Sequence, residues 1–326
     1  MYLEDLKFSL WADFIERDYL DNEFKSLIEK GIINGATSNP AIFKSAILNS
    51  DAYKTQLNSL DGLTPKERYE AVAIFDIQKA ADILRPLYDE GDDGYVSIEV
   101  DPFLCDDAEA TIAEGKRLHK AIGRENVMIK VPATEAGYIA MEALTAASIA
   151  VNATLVFKKD QAVACAKAFE AGLKRSAKTV HTVISIFVSR VDRALDAKLK
   201  GLGITPALCG IYNSAAIYAT IEEMKVPACR VLFASTGVKD DSLPAHYYVE
   251  KLLAYNSINT APIDTIKAFD VNGKKEKALP IDPSTIQKHF ELLEQNNIDL
   301  EKVLDQLLKE GLIAFEDAFK EILEAL

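Results

Sequence analysis

The chain has 326 residues, of which 37 are lysine or arginine and 50 are aspartate or glutamate, so its formal net charge is −13 at pH 7. This acidic balance argues against binding to nucleic acid or to an anionic membrane surface, because both need clustered cations. It does not exclude a small anionic substrate, which a few cations in a cleft can hold. Hydrophobic residues make up 49% of the chain, a globular composition that can bury a large core.

The four cysteines predict neither a zinc site nor a disulfide framework, because they form no CxxC pair and have no histidine close by. Reduced thiols in a cytoplasmic protein are the simplest interpretation. The first residues lack the basic and then apolar layout of a signal peptide. The longest uncharged stretch, residues 201–221, contains three glycines and a proline, so it does not predict a membrane span.

Eight short runs typical of β-strands recur along the chain, at residues 9–13, 35–39, 96–100, 127–131, 152–157, 183–187, 231–235 and 265–269. Amphipathic helical stretches separate most of them, for example residues 65–88, 106–122 and 160–173. Strands that alternate with helices imply right-handed parallel crossovers, and eight such units predict a closed (β/α)8 barrel. An open doubly wound sheet is the alternative, but the chain contains no GxGxxG or GxxxxGK[ST] loop to support it.

No linker rich in proline, glycine or serine divides the chain, so we expect a single barrel domain over residues 1–326. Two segments exceed a minimal barrel. Residues 18–64 hold more helical chain than one unit requires, and residues 282–326 are typical of a terminal pair of helices. The apolar residues that fall on one face of the last helix are Phe315, Phe319 and Ile322.

Polar residues inside the predicted strands share one face. Side chains alternate along a strand, so residues two apart point the same way. The pairs that share a face in this way are Trp11 with Asp13, Thr37 with Asn39, Ser97 with Glu99, Met128 with Lys130, Asn152 with Thr154, and Ser185 with Phe187. The outer face of a barrel strand packs on helices and should be apolar. We therefore expect the polar set to point into the barrel mouth, where the active sites of such barrels are built.

Lys130 stands within an otherwise apolar run, VMIKVP at residues 127–132. A buried ammonium is costly unless it is paired, hydrated or shifted to the neutral form. A neutral amine in a partly dry cleft is a nucleophile for carbonyl carbons and forms Schiff bases. The alternatives are a structural ion pair and a lysine that reaches solvent at the end of its strand.

Glu99 and Asp13 add the proton donors and acceptors that imine chemistry needs, because a carbinolamine must lose water and a proton must move during C–C cleavage. Either carboxylate alternatively neutralises Lys130 in a buried pair. The polar residues that would then bind substrate hydroxyls or a water are Asn39, Asn152, Thr154 and Ser185. Together they favour a polyol substrate.

Two cations follow late strands, where the loops of barrels commonly bind phosphate. Arg190 follows the sixth run and Lys239 follows the seventh. Arg190 alternatively pairs with Asp192 or Asp196. Lys239 alternatively pairs with the acids at positions 240 and 241.

Six motifs, taken together, resemble the transaldolase family, the Schiff-base-forming enzymes of the non-oxidative pentose phosphate pathway. They run in family order: GATSNP at residues 35–40, VSIEVD at 96–101, MIKVPAT at 128–134, NATL at 152–155, ISIFVSR at 184–190 and ASTG at 234–237. The resemblance implies a (β/α)8 barrel of the class I aldolase type that works without a metal or an organic cofactor. It also implies that the partners are small sugar phosphates.

The resemblance further implies the reaction. Lys130 would attack the C2 carbonyl of a ketose phosphate such as sedoheptulose 7-phosphate or fructose 6-phosphate. Retro-aldol cleavage would leave dihydroxyacetone on the lysine, and an aldose phosphate (glyceraldehyde 3-phosphate or erythrose 4-phosphate) would accept it. Asp13 would act as acid and base at the C4 hydroxyl, and Glu99 would act through a water held with Thr154.

The resemblance assigns substrate-binding roles to Asn39, Asn152, Ser185, Phe187, Arg190, Ser235 and Lys239. The two asparagines would hold the dihydroxyacetone unit, Ser185 would bind substrate hydroxyls, and the last three residues would bind the phosphate. One departure from the family concerns that phosphate site. Gly237 stands where many members have arginine, and Lys239 follows two residues later.

Two other functions are left open. The related fructose-6-phosphate aldolases release free dihydroxyacetone, and they have glutamine at the position of Glu99 and tyrosine at that of Phe187, so the residues here favour transfer over release. A non-catalytic sugar-phosphate-binding barrel would be expected to lack Lys130 or Glu99, and both are present. The chain is expected to be a monomer or a homodimer.

Overall fold

The computed structural model describes residues 1–240 and 242–326. Within these ranges, parallel strands hydrogen-bond in chain order and close into a barrel, in which the first strand pairs with both the second and the last. The strands are β1 Ser9–Ala12, β2 Gly35–Thr37, β3 Tyr95–Glu99, β4 Val127–Pro132, β5 Val151–Val156, β6 Thr182–Phe187, β7 Cys229–Ala234 and β8 Ser257–Ala261. This barrel confirms the predicted (β/α)8 fold.

Helices lie between the strands and after them. They are α1 Arg17–Asp21, α2 Glu23–Glu29, α3 Pro40–Asn49, α4 Lys54–Asn58, α5 Pro65–Asp89, α6 Ala108–Ile122, α7 Glu135–Ala146, α8 Lys159–Leu173, α9 Ser189–Gly201, α10 Cys209–Met224, α11 Tyr247–Lys251, α12 Ile263–Asn272, α13 Pro283–Gln295 and α14 Leu300–Ala325. Helices α1 and α2, which follow β1, and α3 and α4, which follow β2, account for the extra helical chain predicted at residues 18–64. Helices α13 and α14 are the predicted terminal pair.

Seven predicted strands match β1 to β7 to within two residues at each end, but the eighth prediction, at residues 265–269, is wrong. Those residues lie in α12, where Thr265, Ile266 and Phe269 are buried on one helical face. The true eighth strand, β8, has the sequence SINTA and contains no apolar run. All of its residues are buried although several are polar, so hydrophobic periodicity does not reveal it.

The barrel interior changes from apolar to polar toward the carboxyl ends of the strands. A buried cluster that includes Trp11, Met128 and Leu232 fills its lower part. Asp13 and Lys130 come two residues after Trp11 and Met128, so they point to the same interior one step closer to the strand ends. The polar set therefore lies above an apolar floor.

Helix α14 crosses the carboxyl end of the barrel and packs against α3, α5, α9 and β5. Phe315, Phe319 and Ile322 are buried along one face, as their spacing predicts. Near the other end of the helix, Asp305 pairs with Lys158, which precedes α8, at 3.0 Å. Both ends of α14 are thus fixed to the barrel that it covers.

In the part of the chain that the structure describes, no helix is long and apolar enough to cross a membrane. The four cysteines are buried and free. Across the same described residues, no group of three or more His, Cys, Asp or Glu side chains is arranged to hold a metal ion.

Candidate active site

A cavity of about 170 Å³ lies at the carboxyl end of the barrel strands. The predicted site residues that line it are Asp13, Asn39, Lys130, Thr154, Ser185, Phe187, Arg190 and Ser235. Pockets for drug-sized ligands usually enclose about 300–1,000 Å³, so this cavity suits a small polar molecule. The barrel brings together residues that are far apart in sequence because neighbouring parallel strands end at the same edge.

Lys130 projects from β4 into this cavity, and only 5% of its surface is exposed. Its Nζ donates a hydrogen bond to the backbone oxygen of Ser38 at 2.9 Å. The same atom lies 3.6 Å from Oε2 of Glu99, which is too long for a hydrogen bond. The amine is therefore within ion-pair distance of Glu99 without a hydrogen bond to it, and it faces the cavity.

Glu99 pairs in register with Lys130 across β3 and β4, and its side chain is almost fully buried. Neither carboxylate oxygen has a hydrogen-bond partner among the described residues. Burial raises the pKa of Glu99 to about 7, although the nearby Lys130 charge opposes the shift, and the negative charge of Asp13 adds to it. A carboxyl group with this pKa can both give and take a proton near neutral pH.

Asp13 follows β1 and accepts a hydrogen bond from Oγ1 of Thr37 at 2.7 Å. The same Thr37 oxygen lies 2.6 Å from the hydroxyl of Thr260 on β8. Burial raises the pKa of Asp13, while the positive charge of Lys130, the Thr37 hydrogen bond and the charge of Arg190 act against the rise. When Asp13 is ionised, the Thr37 hydroxyl donates its hydrogen bond to Asp13, so the Thr260 hydroxyl must be the donor to Thr37.

Thr154 lies at a backbone irregularity in β5. The pairing of β5 with β6 shifts register between Ala153 and Val156, and Leu155 adopts a left-handed conformation with φ +57°. Bulges of this kind occur next to active sites, where they redirect a side chain. The hydroxyl of Thr154 is fully buried and has no hydrogen-bond partner within the described chain, so it is available to a water or a substrate oxygen.

Asn152 is not among the residues that line the cavity. Its amide nitrogen donates to Oγ of Ser97 at 3.1 Å, and its amide oxygen accepts from Oγ of Ser185 at 2.6 Å. These two bonds orient Ser185, which does line the cavity. Because the Ser185 hydroxyl donates its hydrogen bond to Asn152, its oxygen can only accept a hydrogen bond from a ligand.

Asn39 caps helix α3, because its Oδ1 accepts from the backbone nitrogen of Ile42 at 3.0 Å. Pro40 occupies the first turn, where its missing N–H costs nothing. The amide nitrogen of Asn39 is not used by the cap. Asn39 therefore offers a donor to the cavity from a rigid helix start.

Arg190 is the second residue of helix α9, and its guanidinium lies 5.1 Å from the centre of the Phe187 ring. The predicted alternatives for this residue are wrong, because Asp192 and Asp196 bind other groups. They accept hydrogen bonds from the backbone nitrogens of Gly210 and Ala207, at 2.7 and 2.8 Å. Burial lowers the pKa of Arg190 from its ordinary value, yet a guanidinium remains charged in proteins.

Ser235 lies at the end of β7 in a left-handed conformation, with φ +54°. Its hydroxyl is 3.2 Å from that of Ser189, the first residue of α9. The Ser189 nitrogen also donates to the Ser235 backbone oxygen at 3.0 Å. A hydroxyl, a helix start and the Arg190 guanidinium thus meet at one side of the cavity, an arrangement suited to an anion.

Comparison with known proteins assigns the chain to a family. Residues 10–326 match the family described as Transaldolase/Fructose-6-phosphate aldolase. The chain belongs to this family. It is 48% identical over 335 residues to a transaldolase of Campylobacter jejuni subsp. jejuni serotype O:23/36, an alignment that covers 98% of this chain and 99% of the relative. A transaldolase of Helicobacter pylori strain ATCC 700392 is 45% identical over 321 residues, with the same shares covered.

Within this transaldolase and fructose-6-phosphate aldolase framework, Lys239 lies apart from the cavity. It is exposed and is not a lining residue. Its neighbour Asp240 pairs with Lys200 of α9 at 3.1 Å, which holds the loop against the outer helix. Position 241, the other acid proposed as a partner of Lys239, lies outside the described residues.

Sequence reasoning missed the lining residues Ala41, Ala234, Thr260, Ala314 and Phe315 as parts of the site. Thr260 lies on β8, which has no apolar run, so hydrophobic periodicity does not indicate that Thr260 points into the barrel. Ala314 and Phe315 come from α14, whose apolar spacing was recognised although its position over the cavity was not. No local pattern says where a terminal helix packs.

Proposed function

We propose that this protein catalyses the transaldolase reaction, in which Lys130 carries a dihydroxyacetone unit from a ketose phosphate to an aldose phosphate. The observation that supports this most directly is the placement of the Lys130 amine. It is buried, it lines a cavity with the Asp13 carboxylate and several hydroxyls on its walls, and its distance from Glu99 is too long for a hydrogen bond. A purely structural ion pair would leave no open space in front of the amine.

The first step is Schiff-base formation at C2 of the ketose. The nitrogen lone pair of Lys130 attacks the carbonyl carbon, the C2–N bond forms as the C2–O π bond opens, and a proton lost by the nitrogen passes to the carbonyl oxygen to give a carbinolamine. Loss of water then needs an acid. Glu99, with a pKa of about 7, supplies a proton to the departing hydroxyl, through a water that the free hydroxyl of Thr154 holds.

The second step is cleavage of the C3–C4 bond. Asp13 takes the proton from the C4 hydroxyl, C4 becomes the carbonyl carbon of the released aldose, and the C3–C4 electron pair moves toward the iminium nitrogen. The result is an enamine of dihydroxyacetone on Lys130. An acceptor aldose reverses these events, with Asp13 returning a proton to the new hydroxyl, and water then releases the ketose product from the lysine.

The remaining lining residues bind substrate. The amide nitrogen of Asn39 and the oxygen of Ser185 suit hydroxyls of the three-carbon unit, and Asn152 acts behind Ser185 through their hydrogen bond. Arg190 binds the phosphate together with Ser235, because a guanidinium and a hydroxyl at a helix start form charge-assisted bonds to an anion.

Release of free dihydroxyacetone, the fructose-6-phosphate aldolase reaction, is the second candidate, because the family description covers both activities. The relatives from Campylobacter and Helicobacter are named transaldolase, which favours transfer. Glu99 and Phe187 favour transfer as well. We infer in addition that residues 1–326 form one domain, that the protein is cytoplasmic, and that it is a monomer or a homodimer.

Reductive trapping tests the proposal. Borohydride added with fructose 6-phosphate should reduce the Schiff base and attach one three-carbon unit to the intact chain, and peptide mass spectrometry should locate it on Lys130. A label on another lysine would refute the assignment. A coupled assay with and without erythrose 4-phosphate then separates the two reactions. Turnover that does not depend on the acceptor would establish the aldolase instead, and no trapping or turnover would favour a binding protein.

A further inference from the structure

Gly311, in the middle of helix α14, lies directly against Leu155 and Arg190. A Cβ atom placed on Gly311 would lie 2.9 Å from Cδ2 of Leu155 and 3.4 Å from Nη1 of Arg190. The first distance is shorter than a carbon–carbon van der Waals contact, and the second is at the short limit of an ordinary carbon–nitrogen contact. Glycine is unfavourable inside a helix. Its place in the middle of α14 is therefore explained by this close approach.

Leu155 has little room to retreat from the helix, and the half-buried Arg190 is bounded on one side. Leu155 is fully buried, and its left-handed backbone in the β5 bulge directs its side chain toward α14. Arg190 has the Phe187 ring on another side of its guanidinium, 5.1 Å away. The guanidinium is thus bounded by an aromatic ring and by the backbone of α14.

The same helix reaches the substrate cavity one turn further on, where Ala314 and Phe315 are lining residues. The contact at Gly311 consequently fixes two features together. It sets how closely α14 covers the cavity, and it sets where the Arg190 guanidinium rests relative to the cavity.

We infer that Gly311 is a positioning residue for phosphate recognition. By presenting no side chain, it lets α14 pack against Arg190 so that the guanidinium is held at the cavity wall. A methyl group at position 311 displaces the guanidinium and weakens binding of the phosphate. This inference rests on the proposed function, in which Arg190 binds the phosphate of the sugar substrates.

The test compares G311A with G201A in the full-length protein. Gly201 lies at the end of helix α9, and a Cβ there would meet no atom within 4 Å, so G201A is a matched glycine-to-alanine control. With fructose 6-phosphate as a saturating donor, G311A should raise the KM for erythrose 4-phosphate about 5- to 20-fold. The KM for unphosphorylated erythrose should change less than about 2-fold, since only the charged contact is lost. G201A should match the wild type for both acceptors.

A double-variant cycle shows whether Gly311 acts through the guanidinium. Lysine at position 190 lacks the Nη1 atom that the new methyl group would meet. The KM for erythrose 4-phosphate should therefore be nearly the same in R190K and in R190K/G311A.

The inference would be overturned if G311A changed the KM for erythrose 4-phosphate and for erythrose equally, or if its kinetics matched those of G201A. It would also be overturned if G311A raised the KM for erythrose 4-phosphate as much in the R190K background as in the wild type, or if G311A failed to fold. The last outcome would show that the contact with Leu155 dominates. An R190A variant identifies a different failure. If R190A does not discriminate between erythrose 4-phosphate and erythrose, the phosphate role of Arg190 is itself wrong.

Discussion

The Nζ atom of Lys130 lies 3.6 Å from Oε2 of Glu99, and both side chains are almost completely buried. Lys130 donates instead to the backbone oxygen of Ser38, so the two charged groups are neighbours without a direct hydrogen bond. Such spacing lets Glu99 change its protonation state without breaking a hydrogen bond to Lys130. It is the relationship expected of a nucleophile and its proton donor.

Replacing the nucleophile should separate chemistry from folding. In K130A we expect turnover and borohydride trapping to be lost, while the free energy of unfolding in urea changes by no more than about 2 kcal/mol, because Glu99 can become protonated when its neighbour is removed. K239A is the control, since Lys239 is exposed and outside the cavity, and it should still be trapped. Wholesale unfolding of K130A would indicate a structural ion pair.

Glu99 should make folding stability depend on pH. Its pKa is raised from 4.5 to about 7 in the folded protein, so the folded state binds more protons than the unfolded state between these values. Its contribution to stability is therefore full below pH 4.5 and is lost as pH rises through about 7, by up to about 3 kcal/mol.

The neutral variant E99Q should not show this loss. Compared with the wild type, E99Q should gain stability between pH 5 and pH 8, measured by urea denaturation at each pH. The difference between the two proteins isolates this one group from the other carboxylates. A constant difference across that range would contradict the assignment of a raised pKa to Glu99.

Asp13 should be needed for cleavage of the C3–C4 bond but not for formation of the Schiff base with Lys130. In D13N we expect the C3–C4 cleavage to slow by about 10²- to 10⁴-fold, because general base catalysis is removed while Lys130 remains. Borohydride should then trap the uncleaved six-carbon ketose phosphate on the enzyme, where the wild type traps a three-carbon unit. Intact-protein mass spectrometry distinguishes the two adducts by mass. A three-carbon adduct formed at the wild-type rate would remove Asp13 from the cleavage step.

Arg190 and Lys239 should differ sharply in phosphate binding. R190A loses a charge-assisted contact worth about 1.5–3 kcal/mol, so the KM for erythrose 4-phosphate should rise about 10- to 100-fold, with a much smaller change for erythrose. K239A should leave both values close to those of the wild type, because the exposed side chain does not line the cavity. An equal rise in the KM for erythrose 4-phosphate in R190A and K239A would mean that the loop after β7 closes over the substrate.

Local sequence patterns identified most of the barrel and many of the residues that line the cavity. Strand alternation is a property of neighbouring residues, so the shared faces of Ser97 with Glu99 and of Met128 with Lys130 follow from the chain alone. The rule that parallel strands end at one edge then gathers these faces in one place. The same reasoning failed at β8, where buried polar residues such as Asn259 and Thr260 replace the apolar run that marks a strand.

By itself, the sequence determined the fold class and predicted that Lys130, Glu99 and Asp13 face the barrel interior, because these depend on short-range periodicity. The tertiary structure decided which polar residues meet the cavity. In the folded protein, Asn152 forms hydrogen bonds with Ser97 and Ser185, and the register of β5 shifts near Leu155. Helix α14 lies over the strand ends. These features arise from packing between segments far apart in the chain, where a hydrogen-bond partner or a close contact has no local signature.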